Sequence, residues 1–162
     1  MPIVLARVDD RLLHGQIVES WAPHVRADAI VVVSDTVCVD KGRCRLMELI
    51  APENIELCVI PASGLGEVLT RFPRANILLL FADLEGILEV LETGVALDHV
   101  NVGNLHHLRG GIEVTPSVFL NRKDLGAVRC LADRGIAVEA REVPDGRSFD
   151  IVDYLNENGE GC

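Results

Sequence analysis

Seven short apolar runs, separated by stretches of helical periodicity, constrain this sequence more than any other feature. They are Ile3–Val8, Ala29–Ser34, Ile55–Ile60, Ile77–Ala82, Val100–Gly103, Ser117–Leu120 and Ala137–Val143. Most are continuously apolar rather than alternating. A strand of that kind must be covered on both faces, which is the condition of a parallel sheet. The intervening stretches supply the covers. Ile17, Val18, Trp21, Ala22 and Val25 recur at helical spacing, with Pro23 bending or ending that helix. Leu46, Leu49 and Ile50 share one face ahead of Pro52, and Ser63 caps a helix carrying Leu65, Val68, Leu69 and Phe72. Leu84, Ile87, Leu88 and Leu91 form a stripe that Gly94 ends. Asn121 with Asp124 makes a capping box ahead of Leu125, Val128 and Leu131, and Ser148 caps Ile151, Val152 and Leu155. The expected fold is α/β: a single open, mostly parallel β-sheet with helices on both faces. Ala137–Val143 alternates more than the others, so it is expected at an edge, open to antiparallel pairing. A single domain over 1–157 with a frayed tail at 158–162 is the simplest organisation for 162 residues of which 49% are apolar.

Such a sheet binds ligands outside the carboxyl ends of its strands. The segment Arg7-Val-Asp-Asp-Arg-Leu-Leu-His-Gly-Gln16 follows the first apolar run and leads into the first helix. Taken singly, each polar residue in it reads as solvated loop or helix entry. Together they suit phosphoryl chemistry. His14 is a nucleophile that is neutral near physiological pH. Arg11, three residues earlier, can bridge phosphoryl oxygens. Asp10 or Asp9 can accept the N–H of the ring nitrogen that does not attack, which fixes the tautomer. Gly15 lets a phosphate approach the backbone closely. Gln16, Arg7 and Asp9 complete the phosphate-binding and supporting set, and Ser34 joins it from the end of the second run. A second constellation, Asn101 to Gly111, begins within the fifth run, and its part Asn104–Gly111 follows that run. From it Asn104, His106, His107 and Arg109 are expected to rim the cleft of His14, although a glycine-rich surface loop would account for either histidine alone.

Several classes of function fall away. A net charge of −10 argues against a nucleic-acid surface and against docking on anionic lipid. The longest apolar run is Ile77–Ala82, far short of the ~20 residues of a membrane helix. No signal-peptide pattern opens the chain, so a soluble, cytoplasmic protein is expected. The five cysteines form no C-x-x-C pair, which speaks against a metal site. Ser63-Gly-Leu-Gly-Glu67 lacks the third glycine of a dinucleotide fingerprint, and no cofactor is expected.

The chain resembles the IIB component of the mannose/fructose/sorbose class of the bacterial sugar phosphotransferase system. The motif Val-Leu-Ala-Arg-Val-Asp-Asp-Arg-Leu-Leu-His-Gly-Gln-Ile-Val carries the resemblance. Ile-Val-Val-Val-Ser-Asp, Val-Asn-Val-Gly-Asn and Gly-Ile-Ala-Val-Glu-Ala-Arg-Glu-Val-Pro support it. It implies a phosphotransferase in which His14 accepts a phosphoryl group from a IIA phosphohistidine and passes it to a sugar held by a IIC/IID membrane pair. The early Pro23 and the His106-His107 pair depart from the family pattern. They leave open a regulatory phosphorelay module that is phosphorylated on His14 and never phosphorylates sugar. A histidine phosphatase is disfavoured, because that chemistry wants Arg where Leu13 stands. The sugar and the oligomeric state, a homodimer included, are left open.

Overall fold

The computed structural model describes residues 2–107 and 111–159. Its strands are β1 (Ile3–Asp9), β2 (Ala29–Val33), β3 (Glu56–Ile60), β4 (Ile77–Phe81), β5 (His99–His106), β6 (Ile112–Thr115), β7 (Val118–Leu120), β8 (Ala137–Ala140) and β9 (Phe149–Asp150). They form one nine-stranded sheet whose main path runs β3-β2-β4-β1-β5-β7-β6, with β8 pairing β5 and β9 pairing β8. The pairs β3·β2, β2·β4, β4·β1, β1·β5, β5·β7 and β5·β8 are all parallel. The expectation for Ala137–Val143 needs one correction. Ala137–Ala140 pairs parallel with β5, and β9 covers its other side, so it is not an edge. The antiparallel pairing left open for it is present on that side, between β8 and β9, and a second antiparallel pair joins β6 to β7.

Six helical segments cover the two faces. They are α1 (a π-helical turn, Ile17–Trp21, running into an α-helical turn, Ala22–His24), α2 (Lys41–Ile50), α3 (Leu65–Arg71), α4 (Leu84–Glu92), α5 (Arg122–Asp133) and α6 (Ile151–Glu157). Period-two alternation along the strands sorts the core into two clusters. Ala6, Val8, Val31, Leu79, Val100 and Val102 pack beneath α3 to α6. Leu5, Ile30, Val32, Leu78 and Leu80 pack beneath α1 and α2, against Ile17, Trp21 and Met47. Pro23 falls where the π-turn hands over to one α-turn, and the chain leaves the helix with Arg26 in the left-handed region at φ 52°. Asn121 and Asp124 form the expected capping box on α5. The cap of α6 is Asp150 rather than Ser148, whose hydroxyl donates instead to Glu139.

Helix α2 presents a face other than the expected one. Leu46 and Leu49 are 65% and 68% exposed, and the helix reaches the core through Met47, with Val37 beside it. Val39 and Ile50 are exposed as well. The apolar spacing is genuine, but it points to solvent, and Met47 is the residue of this helix that is buried. A stability measurement separates the two faces. Met47→Ala is expected to cost about 2 kcal/mol or more in urea unfolding. Leu49→Ser is expected to cost less than about 0.5 kcal/mol.

Candidate functional site

On the face covered by α1, three adjacent parallel strands carry buried polar side chains instead of apolar ones. Arg7 and Asp9 from β1, Asn101 and Asn104 from β5 and Glu139 from β8 are all buried. Ordinary alternation places Arg7 and Asp9 on this face, two and four residues beyond Leu5. The pairing register of β1 with β5 shifts between Val8↔Val102 and Asp9↔Asn104, and this irregularity sets Asn104 beside Asp9.

Arg7 is fully buried, and each of its guanidinium nitrogens is engaged. Its Nη1 donates to Asn101 Oδ1 at 2.6 Å and to the Arg141 carbonyl at 2.9 Å. Its Nη2 donates to Asp9 Oδ2 at 3.2 Å, Gln16 Oε1 at 3.2 Å and the Glu142 carbonyl at 3.0 Å. Its Nε donates to Asp9 Oδ2 at 3.3 Å. The Trp21 ring lies 4.7 Å from its Cζ, and the indole donates to the same Glu142 carbonyl. Gly103 makes room for the group, since a Cβ there would sit 1.8 Å from Arg7 Cζ. Burial lowers the Arg7 pKa to about 10 against the opposing pull of Asp9, so it stays charged at neutral pH. With its donors spent internally, Arg7 supports the site and does not grip a phosphate.

Asp9 is the centre of the arrangement. Its Oδ1 accepts the backbone N–H of Arg11 at 3.1 Å, closing an Asx turn. Its Oδ2 takes Asn104 Nδ2 at 2.9 Å, the two Arg7 donors, and His14 Nε2 at 2.9 Å. Burial alone would raise this carboxyl. The hydrogen bonds from His14 and Asn104 and the charge of Arg7 outweigh burial and hold it below its ordinary value of 3.8. An ionised carboxylate only accepts, so the proton of the His14 ring sits on Nε2 and the lone pair on Nδ1. Between the two residues the chain turns tightly: Leu12 donates to the Asp9 carbonyl and adopts φ 56°, with its side chain buried beneath α1. This left-handed leucine brings His14 back over the carboxylate. The His14 side chain keeps 15% of its surface exposed. A Cβ on neighbouring Gly15 would meet nothing within 4 Å.

The structure gathers some of the expected residues and separates others. Gln16 joins Arg7 and Asn104 through its Oε1. Arg11 is exposed, three residues before His14 in the chain, and lines a cavity of about 310 Å³ with Asn104, His106, Pro116, Ser117 and Glu142. Asp10 does not hold His14; its Oδ2 meets His106 Nδ1 at 2.9 Å. His107 does not rim this cleft. Its Nδ1 lies 2.6 Å from Asp124 Oδ2, and it faces a separate cavity over α4 and α5. Adjacent strand residues point to opposite faces, which parts the two histidines. Ser34 also lies apart, in a cavity lined by Asp35, Asp83, Glu85 and Glu89. Arg43 also lines that cavity, outnumbered by the four carboxylates, and burial, then Asp35, Glu85 and Asp83, raise the Glu89 carboxyl. Arg109 lies outside the described residues. Sequence reasoning missed Trp21, Gly103, Asn101 and the carbonyls of Arg141 and Glu142. The signal that could have found them is Arg7 itself, a charged residue within the apolar run of β1.

A family profile described as PTS system sorbose subfamily IIB component matches residues 3–161. The fructose-specific EIIB component of Bacillus subtilis is 35% identical over 157 residues, 96% of each chain. The mannose-specific EIIAB component of Escherichia coli is 31% identical over 159 residues, which are 97% of this chain and 49% of that longer one. The crystal structure of the IIBSor domain of the sorbose permease from Klebsiella pneumoniae superimposes with a TM-score of 0.89 at 30% identity, covering 97% of this chain and 98% of that one.

Linkage gives a test of the Asp9 assignment. The folded chain holds the Asp9 proton less tightly than the unfolded chain. Its contribution to stability is therefore complete above about pH 4 and is lost as pH falls through the lowered folded value. In thermal melts taken from neutral pH downward, the Tm of the wild type is expected to fall more steeply below about pH 4 than that of Asp9→Asn. Parallel curves would remove Asp9 from the acid transition.

Proposed function

The chain belongs to the sorbose-subfamily IIB components of the sugar phosphotransferase system, and from that premise we propose that His14 Nδ1 is the phosphoryl-carrying atom. The observation that carries this reading is the 2.9 Å contact from Asp9 Oδ2 to His14 Nε2, which commits one ring nitrogen and leaves the other as the nucleophile. The donor is a phosphohistidine on a IIA protein or domain. The Nδ1 lone pair forms the new P–N bond while the donor's P–N bond breaks and its electron pair returns to the donor imidazole. Charge that builds on the three phosphoryl oxygens is shared by both partners during transfer, and Arg11, exposed three residues before His14, is the cation that binds it in this reading. Asp9 stabilises the positive ring that results, and Arg7 with Asn104 keeps Asp9 ionised and aimed.

In the second half-reaction the group leaves His14 for a sugar held by a IIC/IID membrane pair. Among the described residues no helix is long and apolar enough to cross a membrane, so the sugar path is supplied by other subunits in this reading. That the E. coli relative is an EIIAB component supports a IIA donor for this chain.

The test is incubation with phosphoenolpyruvate, the general phosphocarriers and a IIA protein, followed by mass spectrometry. One acid-labile, base-stable phosphate is expected, on His14, and His14→Ala is expected to abolish it. Label on another residue would overturn the assignment. Arg11→Ala is expected to slow phosphorylation at least about tenfold while leaving the urea midpoint within about 0.5 kcal/mol of wild type. An unchanged rate would remove Arg11 from the mechanism.

A further inference from the structure

Asp9 and Asp10 are consecutive, and each holds an imidazole. Asp9 Oδ2 meets His14 Nε2 and Asp10 Oδ2 meets His106 Nδ1, both at 2.9 Å. The two rings are held by opposite nitrogens, so they present opposite free ones. The Asp10 oxygen also accepts the backbone N–H of His106 at 2.9 Å, and the ring leans on Phe119 with centroids 6.5 Å apart. His106 is therefore fixed at backbone and ring alike, yet its side chain is 41% exposed. Its Nε2 has no partner among the described residues. The cavity it lines is shared with Arg11 and with Asn104, whose amide bonds the same Asp9 oxygen that holds His14. This is more order than a surface loop histidine requires.

The two half-reactions differ in one respect. Transfer between imidazoles breaks no O–H bond, whereas attack by a sugar hydroxyl must release a proton. Resting on the reading of His14 as the phosphoryl carrier, we propose that His106 Nε2 accepts that proton. The hydroxyl oxygen forms the O–P bond, and the P–Nδ1 bond of His14 breaks with its electron pair returning to Nδ1. The hydroxyl proton passes to His106 Nε2, the imidazolium is stabilised by Asp10, and the proton is later released to water. The acceptor class is an alcohol, here a hexose hydroxyl brought into the cavity by the membrane subunits. The groups facing the ring agree with this role. Asp10 is its carboxylate partner, Glu142 adds a second negative group at the cavity wall, Arg11 opposes them, and Ser117, Pro116 and Phe119 bring no charge.

The experiment separates the two half-reactions. His14 is charged from IIA phosphohistidine in membrane vesicles bearing IIC and IID subunits, and labelled fructose, mannose and sorbose are offered in turn. His106→Gln is expected to charge His14 at the wild-type rate and to make sugar phosphate about 100-fold more slowly, within the usual range for loss of a general base. It is also expected to lose the acid limb of the pH–rate profile for sugar phosphate. In His106→Ala, added imidazole is expected to restore part of the sugar phosphate rate. Wild-type sugar phosphate formation by His106→Gln overturns the proposal and leaves the carrier role of His14 standing. So does an equal slowing of both half-reactions. Charged His14 that yields no sugar phosphate in any vesicle overturns it together with the sugar reading. Failure of His14 to charge in the wild type overturns the carrier reading on which both depend.

Discussion

Everything at the rim of this sheet hangs on one buried ion pair, Arg7 with Asp9. Burying two charges costs several kcal/mol each, and the cost is recovered only when the geometry is good and the remaining hydrogen-bonding capacity is met. Here it is met. Arg7 spends its donors on a carboxylate, two amide oxygens and two carbonyls, and an aromatic face closes the last side. Losing either partner would strand the other charge, a penalty of about 3–5 kcal/mol. A hydrophobic pair would fold at least as well. What it could not do is leave a carboxylate oxygen aimed at an imidazole with its ionisation guaranteed.

The pair also explains why distant parts of the chain meet. The carbonyls of Arg141 and Glu142 reach Arg7 across more than 130 residues of sequence. They are delivered by β8, which pairs β5 in register from His99↔Ala137 to Val102↔Ala140. Glu139 on β8 accepts from Asn101, which in turn accepts from Arg7. Burial alone would raise the Glu139 carboxyl, but hydrogen bonds from Ser148 and Arg141 outweigh it and keep the group ionised. The polar face thus runs across three strands as one connected network, every member paired, in the manner that makes such networks tolerable in a core. Helix α1 covers it with a π-turn, and Trp21 from that turn reaches both Arg7 and the Glu142 carbonyl.

Much of this was legible in the sequence, and the limits have physical causes. Continuous apolar runs specify parallel strands because nothing else buries both faces, and β2 and β4 are buried at every position. Local capping was legible where the partner lies three residues away, as at Asn121. The βα loop was legible because its side chains are too polar for a core and too clustered for chance. Direction was harder to read. Periodicity shows that Leu46 and Leu49 share a face of α2 but does not show which way that face turns. Nor does it choose between Asp9 and Asp10. That choice is made by alternation along β1, which turns Asp9 toward α1, and by the irregular register that places Asn104 beside it. Ser34 sits at the correct end of the correct kind of strand, yet β4 intervenes between β2 and β1 and carries it away from His14.

On the proposed reading an acidic chain must admit an anionic phosphoryl donor, and the distribution of charge resolves the difficulty better than its sum. At physiological ionic strength exposed charges more than about 8 Å apart are largely screened, so the net charge of −10 acts weakly at the point of transfer. What acts there is local. On one side of the rim, the cavity beside Ser34 gathers Asp35, Asp83, Glu85 and Glu89 against Arg43. On the other, beyond β1, Arg11 stands exposed in the loop that carries an imidazole whose lone pair faces away from its carboxylate. The negative charge of Asp9 does not oppose the donor at full strength, since Arg7 lies directly behind it and its two oxygens are already bonded. The buried pair therefore acts twice: it fixes the tautomer that exposes Nδ1, and it neutralises the carboxylate that does the fixing. A carboxylate held by neutral donors alone would supply the first effect at the expense of the second, which is the physical reason for a charged arginine in the middle of an otherwise apolar strand.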